Sequence, residues 1–141
     1  MSTYTIGRQG SLILIWNGSR VDLQDVTNFR VAQETRIQRT SPLNKPPVEF
    51  STPAGWRGSF SIDRGNSALD DLFNADELAF WNNNTIPSGT LYTYIDEADG
   101  SISKYEYIGL SMTFSNAGSF QSENIVTQTV NFFASQRRSL T

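Results

Sequence analysis

The chain has 141 residues, which suits a single domain, and 38% of them are hydrophobic and 18% charged. It contains no cysteine and no histidine, which excludes disulfides and thiolate metal sites and removes the most common acid–base catalyst among side chains. Residues 1–64 hold 8 basic and 5 acidic side chains, whereas residues 65–136 hold 1 and 9. We therefore expect two surfaces of different charge. The sequence contains no basic patch interleaved with aromatic residues, so it does not predict nucleic-acid binding.

The first residues, MSTYTIGR, lack the basic-then-apolar pattern of a signal peptide. The longest apolar run, Leu12–Trp16, is far too short to span a bilayer. We therefore expect a protein that folds in the cytoplasm without a membrane anchor. The residues before the first predicted strand, 1–9, are expected to be flexible.

The first predicted strand is Ser11–Trp16, which is apolar at consecutive positions and is expected to be buried on both faces. Asn17-Gly18 follows and predicts a tight hairpin turn. The next segment, Val26–Arg39, alternates between apolar and polar residues and exceeds ordinary strand length. Its far end is therefore expected to project beyond the core.

A proline-containing segment, Thr40–Gly55, comes next. Because proline lacks an N–H group, this segment is not expected to be a central strand. Connections of this length without structure of their own are uncommon unless they are functional or disordered. We interpret residues 36–55 as an extended hairpin arm, from which the chain returns in a strand at Trp56–Asp63.

One stretch, Ser67–Asn83, predicts a helix, with a capping residue at its start and two carboxylates in its first turn. Its apolar residues recur at helical spacing and form one stripe, made of Leu69, Leu72, Phe73, Ala79 and Phe80. Asp76 interrupts this stripe, while Leu78 and Trp81 lie on a second line. Either the helix is buried on two sides, or it breaks and restarts at Asp76.

The segment after the helix, Leu91–Asp96, alternates and leads into a hairpin turn at Asp99-Gly100. The next strand, Ile102–Phe114, changes its alternation beside Gly109. This change indicates either a bulge or a strand that passes between two sheets.

The last predicted strand is Ile125–Ala134, and the polar tail, residues 135–141, is expected to be flexible unless a partner orders it. The chain thus has about six strands and one helix, which lies between the third and fourth strands. We predict a mainly β fold in a single domain over residues 1–141. It is an antiparallel β-sandwich or partly open β-barrel, flanked by the helix and carrying the long hairpin arm.

No residue pattern requires catalysis. The pairs Asp70/Asp71 and Asp76/Glu77 are adjacent on a helix, so their carboxylates face different directions. The turn at residues 95–101 lacks the ligand spacing of a calcium loop. Aromatic side chains could stack on sugars, but cross-strand pairing is their more common use; they are Trp56, Tyr92, Tyr94, Tyr105 and Tyr107. We therefore predict no enzyme activity, no cofactor and no metal site.

The order of these motifs resembles that of the tail tube proteins of bacteriophages with contractile tails and of their relatives in prophage-like particles. The resemblance begins with a strand and tight turn, Leu12–Gly18, and a long hairpin with a proline-containing tip, Val26–Asp63. An Arg-Gly turn and a helix that ends in Phe80-Trp81 follow. A Tyr-x-Tyr-x-Gly strand at 105–109 and a final alternating strand complete a match to nearly the whole chain.

The resemblance implies a structural virion protein in the phage tail, assembled in the cytoplasm of the host bacterium. Such proteins form a β-sandwich that assembles into hexameric rings, and the rings stack into a hollow tube. The implied partners are further copies of the chain and the tail sheath, baseplate and tape-measure proteins. During DNA ejection, double-stranded DNA passes through the lumen without specific binding. Hydroxyls, amides and negative charge are therefore expected on the wall of the lumen.

Three sets of residues are assigned from this resemblance. The lumen-facing candidates are Asn28, Glu34, Thr127, Thr129 and Asn131. Arg30 and Arg36 share the polar side of their strand, so they either pair with Glu34 or mark a surface between subunits. The arm tip is expected to reach an adjacent ring through Pro42, Leu43, Asn44, Lys45, Pro46, Pro47 and Val48. On the helix, Leu78 and Trp81 are expected to face a neighbouring subunit or ring.

Two alternatives remain at this stage. One is a tube-initiating or baseplate protein of the same fold, which would form a single ring that does not polymerise. The other belongs to a different class, a carbohydrate-binding β-sandwich module that uses exposed aromatic side chains. Polysaccharide binding by a monomer would favour the second alternative.

Overall fold

The computed structural model describes residues 10–21, 23 and 25–140. The predicted flexibility of residues 1–9 and of the last residue lies outside this part of the chain. The strands are β1 (Gly10–Trp16), β2 (Ser19–Val21), β3 (Val26–Thr40), β4 (Val48–Asp63), β5 (Gly89–Asp96), β6 (Ile102–Asn116), β7 (Thr127–Ala134) and β8 (Gln136–Ser139). One helix, α1 (Ala68–Asn83), lies between β4 and β5. The mainly β prediction is confirmed, with two short strands added to the six that were expected.

All eight strands belong to one antiparallel sheet, ordered β2-β1-β5-β6-β7-β4-β3, with β8 beside β6, and the sheet is not closed into a barrel. The two parts of β6 pair differently, so we describe two half-sheets. The first half-sheet contains β2, β1, β5, β8 and residues 102–110 of β6. The second contains residues 111–116 of β6, with β7, β4 and β3.

The core lies between the two half-sheets. Leu14, Leu91 and Tyr107 from the first half-sheet and Phe60 and Phe132 from the second are all at most 2% exposed. The rings of Tyr107 and Phe132 meet edge to face with their centroids 6.2 Å apart. Contact between the two inner faces is the packing that defines a sandwich.

A bulge in β6 sets the crossing between the half-sheets. Leu91 pairs with Tyr107 and Gly89 pairs with Leu110, so Ile108 and Gly109 together oppose a single residue of β5. Gly109 has a φ of +68°, which favours glycine. The change of alternation beside Gly109 in the sequence therefore predicted a real structural feature.

The C-terminal tail, expected to be flexible unless a partner orders it, forms strand β8 over Gln136–Ser139. Ser111 pairs with Phe133 and Ile108 pairs with Gln136, so β8 continues β7 along β6 in the same register. Ser135 alone interrupts the strand, and its amide donates to the Ile108 carbonyl oxygen at 2.8 Å. The tail is ordered because its backbone groups have strand partners on β6.

The guanidinium of Arg137 also holds the tail. It lies 4.2 Å from the centroid of the Trp56 ring and 4.4 Å from that of Tyr105. A cation between two aromatic faces is attracted by both rings. The polar composition of this segment is therefore compatible with an ordered strand.

The arm also differs from its prediction. Residues 48–55 were expected to be part of an irregular connection, yet β4 begins at Val48 and only residues 41–47 form the loop. Pro53 lies within β4 opposite Thr35. Proline fits here because β4 pairs with β7 only from Trp56 onwards, so the arm is a two-stranded ribbon with open outer edges.

Strand β1 is buried on one face rather than two. Leu14 and Trp16 are at most 5% exposed, whereas Ile13 and Ile15 on the opposite face are partly exposed. Helix α1 packs on the core side of the sheet, where Asp76 contacts Trp16, and so leaves the Ile13 face uncovered.

Gly58 is a sensitive position of the fold. A Cβ atom there would overlap the Arg30 carbonyl oxygen and lie 2.9 Å from both the Val31 Cα and the Phe132 Cζ. We expect Gly58→Ala to lower the free energy of unfolding by about 1–3 kcal/mol, because backbone atoms of β3 cannot move aside cheaply. Ser59→Ala, on the opposite face of β4, should change it by less than about 0.5 kcal/mol. Equal effects in urea titrations would contradict this packing.

Candidate functional site

The outer face of the second half-sheet is polar. Register places Thr127 opposite Asp63, Thr129 opposite Ser61, and Asn131 opposite Ser59. The residues of β7 between them, Gln128, Val130 and Phe132, are buried in the core. Alternation therefore gives this half-sheet an inner face that is apolar apart from Gln128, and an outer face on which hydroxyls and amides predominate beside Phe133. We call this outer face the polar face.

Hydroxyl groups on the polar face bond to their neighbours across the strands. The Ser61 and Thr129 hydroxyl oxygens are 3.1 Å apart. Ser115 donates to the Thr129 carbonyl oxygen at 3.1 Å, and Thr127 donates to an Asp63 carboxylate oxygen at 3.3 Å. These contacts hold the short polar side chains of β4, β6 and β7 close to the sheet.

The proposed lumen residue Asn28 lies on the same face, because β3 pairs it with Ser61 and pairs Arg30 with Ser59. Glu34 lies farther along β3 towards the arm. Its carboxylate accepts from Arg57 Nε at 2.6 Å, so its partner is Arg57 and not Arg30 or Arg36. Both side chains of this pair are well exposed, and such surface pairs contribute little stability.

The structure thus brings Asn28, Thr127, Thr129 and Asn131 together and places Glu34 at their margin. The charged side chains on this face are Arg30, Arg57, Glu34 and Asp63, whose charges sum to zero. Net negative charge was expected for a lumen wall and is not found. The serines of β4 on this face were assigned no role from sequence, although the alternation of Trp56–Asp63 already pointed them outward.

Both ends of the second half-sheet have open edges within the described part of the chain. Strand β3 pairs only with β4, and residues 111–116 of β6 pair only with β7. Unpaired N–H and C=O groups along such edges are ready to pair with another strand.

The arm exposes apolar side chains at and near its tip. Leu43 is 105% exposed and Ile37 is 62% exposed, and all residues assigned to the arm tip, 42–48, are exposed. An Arg39–Glu49 ion pair of 2.9 Å links the two strands. A two-stranded ribbon with both faces in water is only marginally stable, so the arm has the properties of a segment that docks on a partner.

Helix α1 closes one open side of the sandwich. Leu69 is 1% exposed, and the rings of Phe73 and Phe114 stack with their centroids 4.6 Å apart. Asp76 does not break the helix. Its carboxylate accepts a 2.7 Å hydrogen bond from Trp16 Nε1 and a 3.4 Å bond from Asn17 Nδ2. Asp76 therefore lies on the apolar stripe because its carboxylate accepts the hydrogen bond of the buried Trp16 indole N–H.

The C-terminal end of α1 exposes apolar side chains. Trp81 is 72% and Leu78 53% exposed, in agreement with a second apolar line. Phe80 was expected on the buried stripe, yet it is 44% exposed and packs edge to face on Trp81 at 5.2 Å. The last turns of the helix run past the core, so the helical position of Phe80 does not bury it. We call Leu78, Phe80 and Trp81 the helix patch.

A groove of about 680 Å³ lies on the other open side of the sandwich. It opens between β3 on one side and β1 and β5 on the other. Its apolar lining includes Leu12, Phe29, Val31, Ile95, Tyr105 and Tyr107. This groove was not predicted from the sequence, because it forms between strands that are distant along the chain.

Aromatic side chains are not arranged for sugar stacking. Tyr107 is 2% exposed, and Trp56 packs edge to face on it at 6.3 Å. Arg137 already occupies the space between Trp56 and Tyr105. Three of the five aromatic candidates are therefore engaged within the subunit.

Carboxylates at the β5–β6 turn serve the backbone. Asp99 accepts from the Ser101 amide at 2.9 Å and from the Ser101 hydroxyl at 2.6 Å, and these bonds lower the pKa of Asp99. Such contacts are typical of a tight turn. Among the described residues, no group of three or more acidic side chains is placed to hold a metal ion. The helix of the described chain is also too short and too polar to cross a membrane.

Comparison with known proteins gives a match in fold and not in sequence. No protein-family model matches the chain, and no curated protein is significantly similar to it. A chain from the sheath/tube terminator of the extracellular contractile injection system PVC, in its extended state, has a TM-score of 0.64 at 12% identity. The alignment covers 92% of this chain and 93% of that one.

Two further structures are similar. A chain from the extended sheath–tube complex of PVC has a TM-score of 0.59 at 12% identity, over 92% of this chain and 88% of that one. A chain from the baseplate of the anti-feeding prophage has a TM-score of 0.61 at 10% identity, over 99% and 97%. At these identities the likeness shows a shared fold, that of proteins from contractile, phage-like tail assemblies.

Removal of the Asp76 carboxylate tests how α1 is anchored. We expect Asp76→Ala to lower the free energy of unfolding by about 1–3 kcal/mol, because the indole N–H of Trp16 loses its acceptor in a part-buried position. Glu77→Ala, one residue along on the exposed side, should have an effect within about 0.5 kcal/mol. Equal loss in chemical denaturation would show that the Trp16 contact does not anchor the helix.

Asp76 also predicts a pH dependence. Burial raises the pKa of the Asp76 carboxyl above its ordinary value, although the hydrogen bonds from Trp16 and Asn17 oppose this shift. The folded state therefore binds the proton more tightly, so this contribution to stability is full at low pH and falls as pH rises through the folded pKa. The unfolding free energy of the natural chain minus that of Asp76→Asn should fall as the pH rises above 3.8, the ordinary pKa of an aspartate carboxyl. A difference that rises would contradict the raised pKa.

Proposed function

We propose that this chain is a structural, non-enzymatic subunit of a contractile, phage-like tail, and that it assembles into hexameric rings that stack into a tube. The observation that carries the proposal is the second half-sheet, which combines the polar face with open edges at both ends. The shared fold with chains of contractile injection systems supports it.

Edge-to-edge pairing would build the ring. The open edge of β3 in one copy would pair with residues 111–116 of β6 in the next, so that the second half-sheets join into one barrel. Closure removes the exposed edges that otherwise promote aggregation. Six copies of a four-stranded half-sheet exceed the 16–18 strands that already leave an aqueous channel.

The polar face would line that channel. Thr127, Thr129, Asn131 and Asn28 present hydroxyls and amides, and the charges around them balance. A wall without a cluster of unpaired Lys and Arg makes few phosphate contacts, so double-stranded DNA would pass without being held. During DNA ejection this weak interaction is an advantage.

The arm would link one ring to the next. Its tip, residues 42–48, is exposed and carries the apolar side chains of Leu43 and Val48. Docking on an adjacent ring would bury these side chains and stabilise the ribbon. The helix patch would face a neighbouring subunit.

A subunit of a tail tube would also contact other tail proteins. Outer surfaces of the tube would meet the sheath, its ends would meet the baseplate and a terminating protein, and its lumen would hold a tape-measure protein before DNA passes. The proposed location is the virion tail or a tail-like particle, with assembly in the cytoplasm of the host bacterium.

A terminal ring is the second candidate, because similar folds occur in a sheath/tube terminator and a baseplate. Such a ring would assemble through the same edges and would not stack into a tube. The carbohydrate-binding alternative is not retained, since Tyr107 is buried and Arg137 covers Trp56 and Tyr105.

Assembly of the purified chain tests the proposal. Sedimentation velocity over rising protein concentration should show a monomer converting to a ring-sized species and then to longer particles, with hollow rings or tubes in negative stain. Rings that never elongate would favour the terminal-ring candidate. A chain that stays monomeric at millimolar concentration would contradict both.

Shortening the arm should separate ring formation from stacking. Thr40 already pairs with Val48, so residues 41–47 can be replaced by Asn-Gly, which forms a two-residue hairpin turn. We expect this variant to fold and form rings but to make few or no tubes, because the inter-ring contact is gone. Phe120→Ser, which changes an exposed side chain of another loop, should leave tubes intact. Tubes of ordinary length from the shortened arm would contradict its assignment.

A further inference from the structure

Two apolar surfaces lie on the two open sides of the sandwich. Helix α1 closes one side, where Phe73 stacks on Phe114 of β6, and it leaves the helix patch exposed. The groove lies on the other side, beside β3. We propose that the helix patch of one copy docks in the groove of the next copy around the ring. This inference rests on the proposed function and names both surfaces of its lateral contact.

The edges of the second half-sheet bring these two surfaces together. The open edge of β6 lies on the helix side, since Phe114 in that segment contacts the helix. The open edge of β3 lies on the groove side, since Val26–Val31 line the groove. Pairing of these edges between copies therefore places α1 of one copy beside the groove of the other.

Surface chemistry agrees with this contact. Trp81 and Leu78 are 72% and 53% exposed, and the groove offers apolar walls from Leu12, Phe29 and Ile95.

The contact is head-to-tail, because one copy supplies the helix patch and the other supplies the groove. A heterologous contact of this kind leaves one unused surface at each end and closes only when the copies form a ring. An aromatic anchor that fills an apolar pocket is also the usual centre of a protein interface. The groove of the next copy is thus the binding site for the exposed end of α1.

Cysteine cross-linking tests the pairing directly, because the chain contains no cysteine of its own. Leu78→Cys and Val31→Cys are made in separate batches and mixed under ring-forming conditions, followed by mild oxidation. We expect disulfide-linked dimers in the mixture and none in either batch alone. A chain that carries both substitutions should give a ladder of covalent oligomers that ends at the ring. The matched control is Leu78→Cys mixed with Lys104→Cys, which lies outside the groove and should not cross-link.

Substitution of the anchor gives a second readout. Trp81→Ala should raise the protein concentration needed for ring formation at least tenfold and leave the unfolding midpoint unchanged, because Trp81 is 72% exposed and its ring contact is with Phe80 of the same exposed patch. Phe120→Ala removes an exposed ring elsewhere and should not change assembly.

Each outcome bears on a separate claim. Rings in which Leu78→Cys links to itself, or links to Lys104→Cys and not to Val31→Cys, overturn the inference and leave the proposed function standing. A loss of unfolding stability in Trp81→Ala as large as the loss of assembly also overturns it, because the helix end would then serve only its own subunit. Absence of any ring overturns the proposed function together with the inference.

Discussion

Strand β6 crosses between the two half-sheets, and the core is enclosed around that crossing. The Ile108–Gly109 bulge changes which side chains of β6 point inward. Tyr107 therefore packs in the core from the first half-sheet, and Phe114 packs against the core from the second. Opposite this bulge, Ser135 marks the break between β7 and β8, and a Cβ on Gly109 would lie 2.5 Å from the Ser135 hydroxyl oxygen. Without the crossing, the sheet would present one flat apolar face and no enclosed core.

The same region releases the arm. Gly55 has a φ of +104°, and a Cβ there would lie 2.6 Å from Phe133 Cε2 and 3.0 Å from the Ala134 carbonyl oxygen. Residues of β4 before this position pair with β3 alone, and residues after it also pair with β7. On the other side, β8 follows β7 along β6. Gly55 thus marks the boundary between the body of the sheet and the arm, and Gly109 marks the boundary between the two half-sheets. This division creates a subunit with surplus edges and apolar surface, and both features favour assembly.

Local patterns in the sequence predicted much of this fold. The Asn17-Gly18 turn, the alternation of β3 and β7, the helix and the bulge at Gly109 all depend on neighbouring residues, and all are present. The grouping of Thr127, Thr129 and Asn131 on one outer face also followed from alternation. Their partners on β4 did not, because register between distant strands is set by tertiary packing.

Other features depend on contacts that periodicity does not encode. Asp76 looked like a flaw in the helix because its partner, Trp16, is 60 residues away. Strand β8 looked like a polar tail because its order comes from β6 and from the two rings around Arg137. Helical spacing places Phe80 on the apolar stripe, yet its side chain is exposed because the last turns of the helix extend beyond the core.

In the proposed ring, the second half-sheet forms the wall and its polar face is directed towards the lumen. Cryo-EM reconstruction of the particles that the purified chain forms tests this arrangement. We expect a closed ring in which β3 of one copy pairs with β6 of the next, with Thr127, Thr129 and Asn131 facing the channel. A ring whose channel is lined by the first half-sheet, or whose copies do not meet along these two edges, would contradict it.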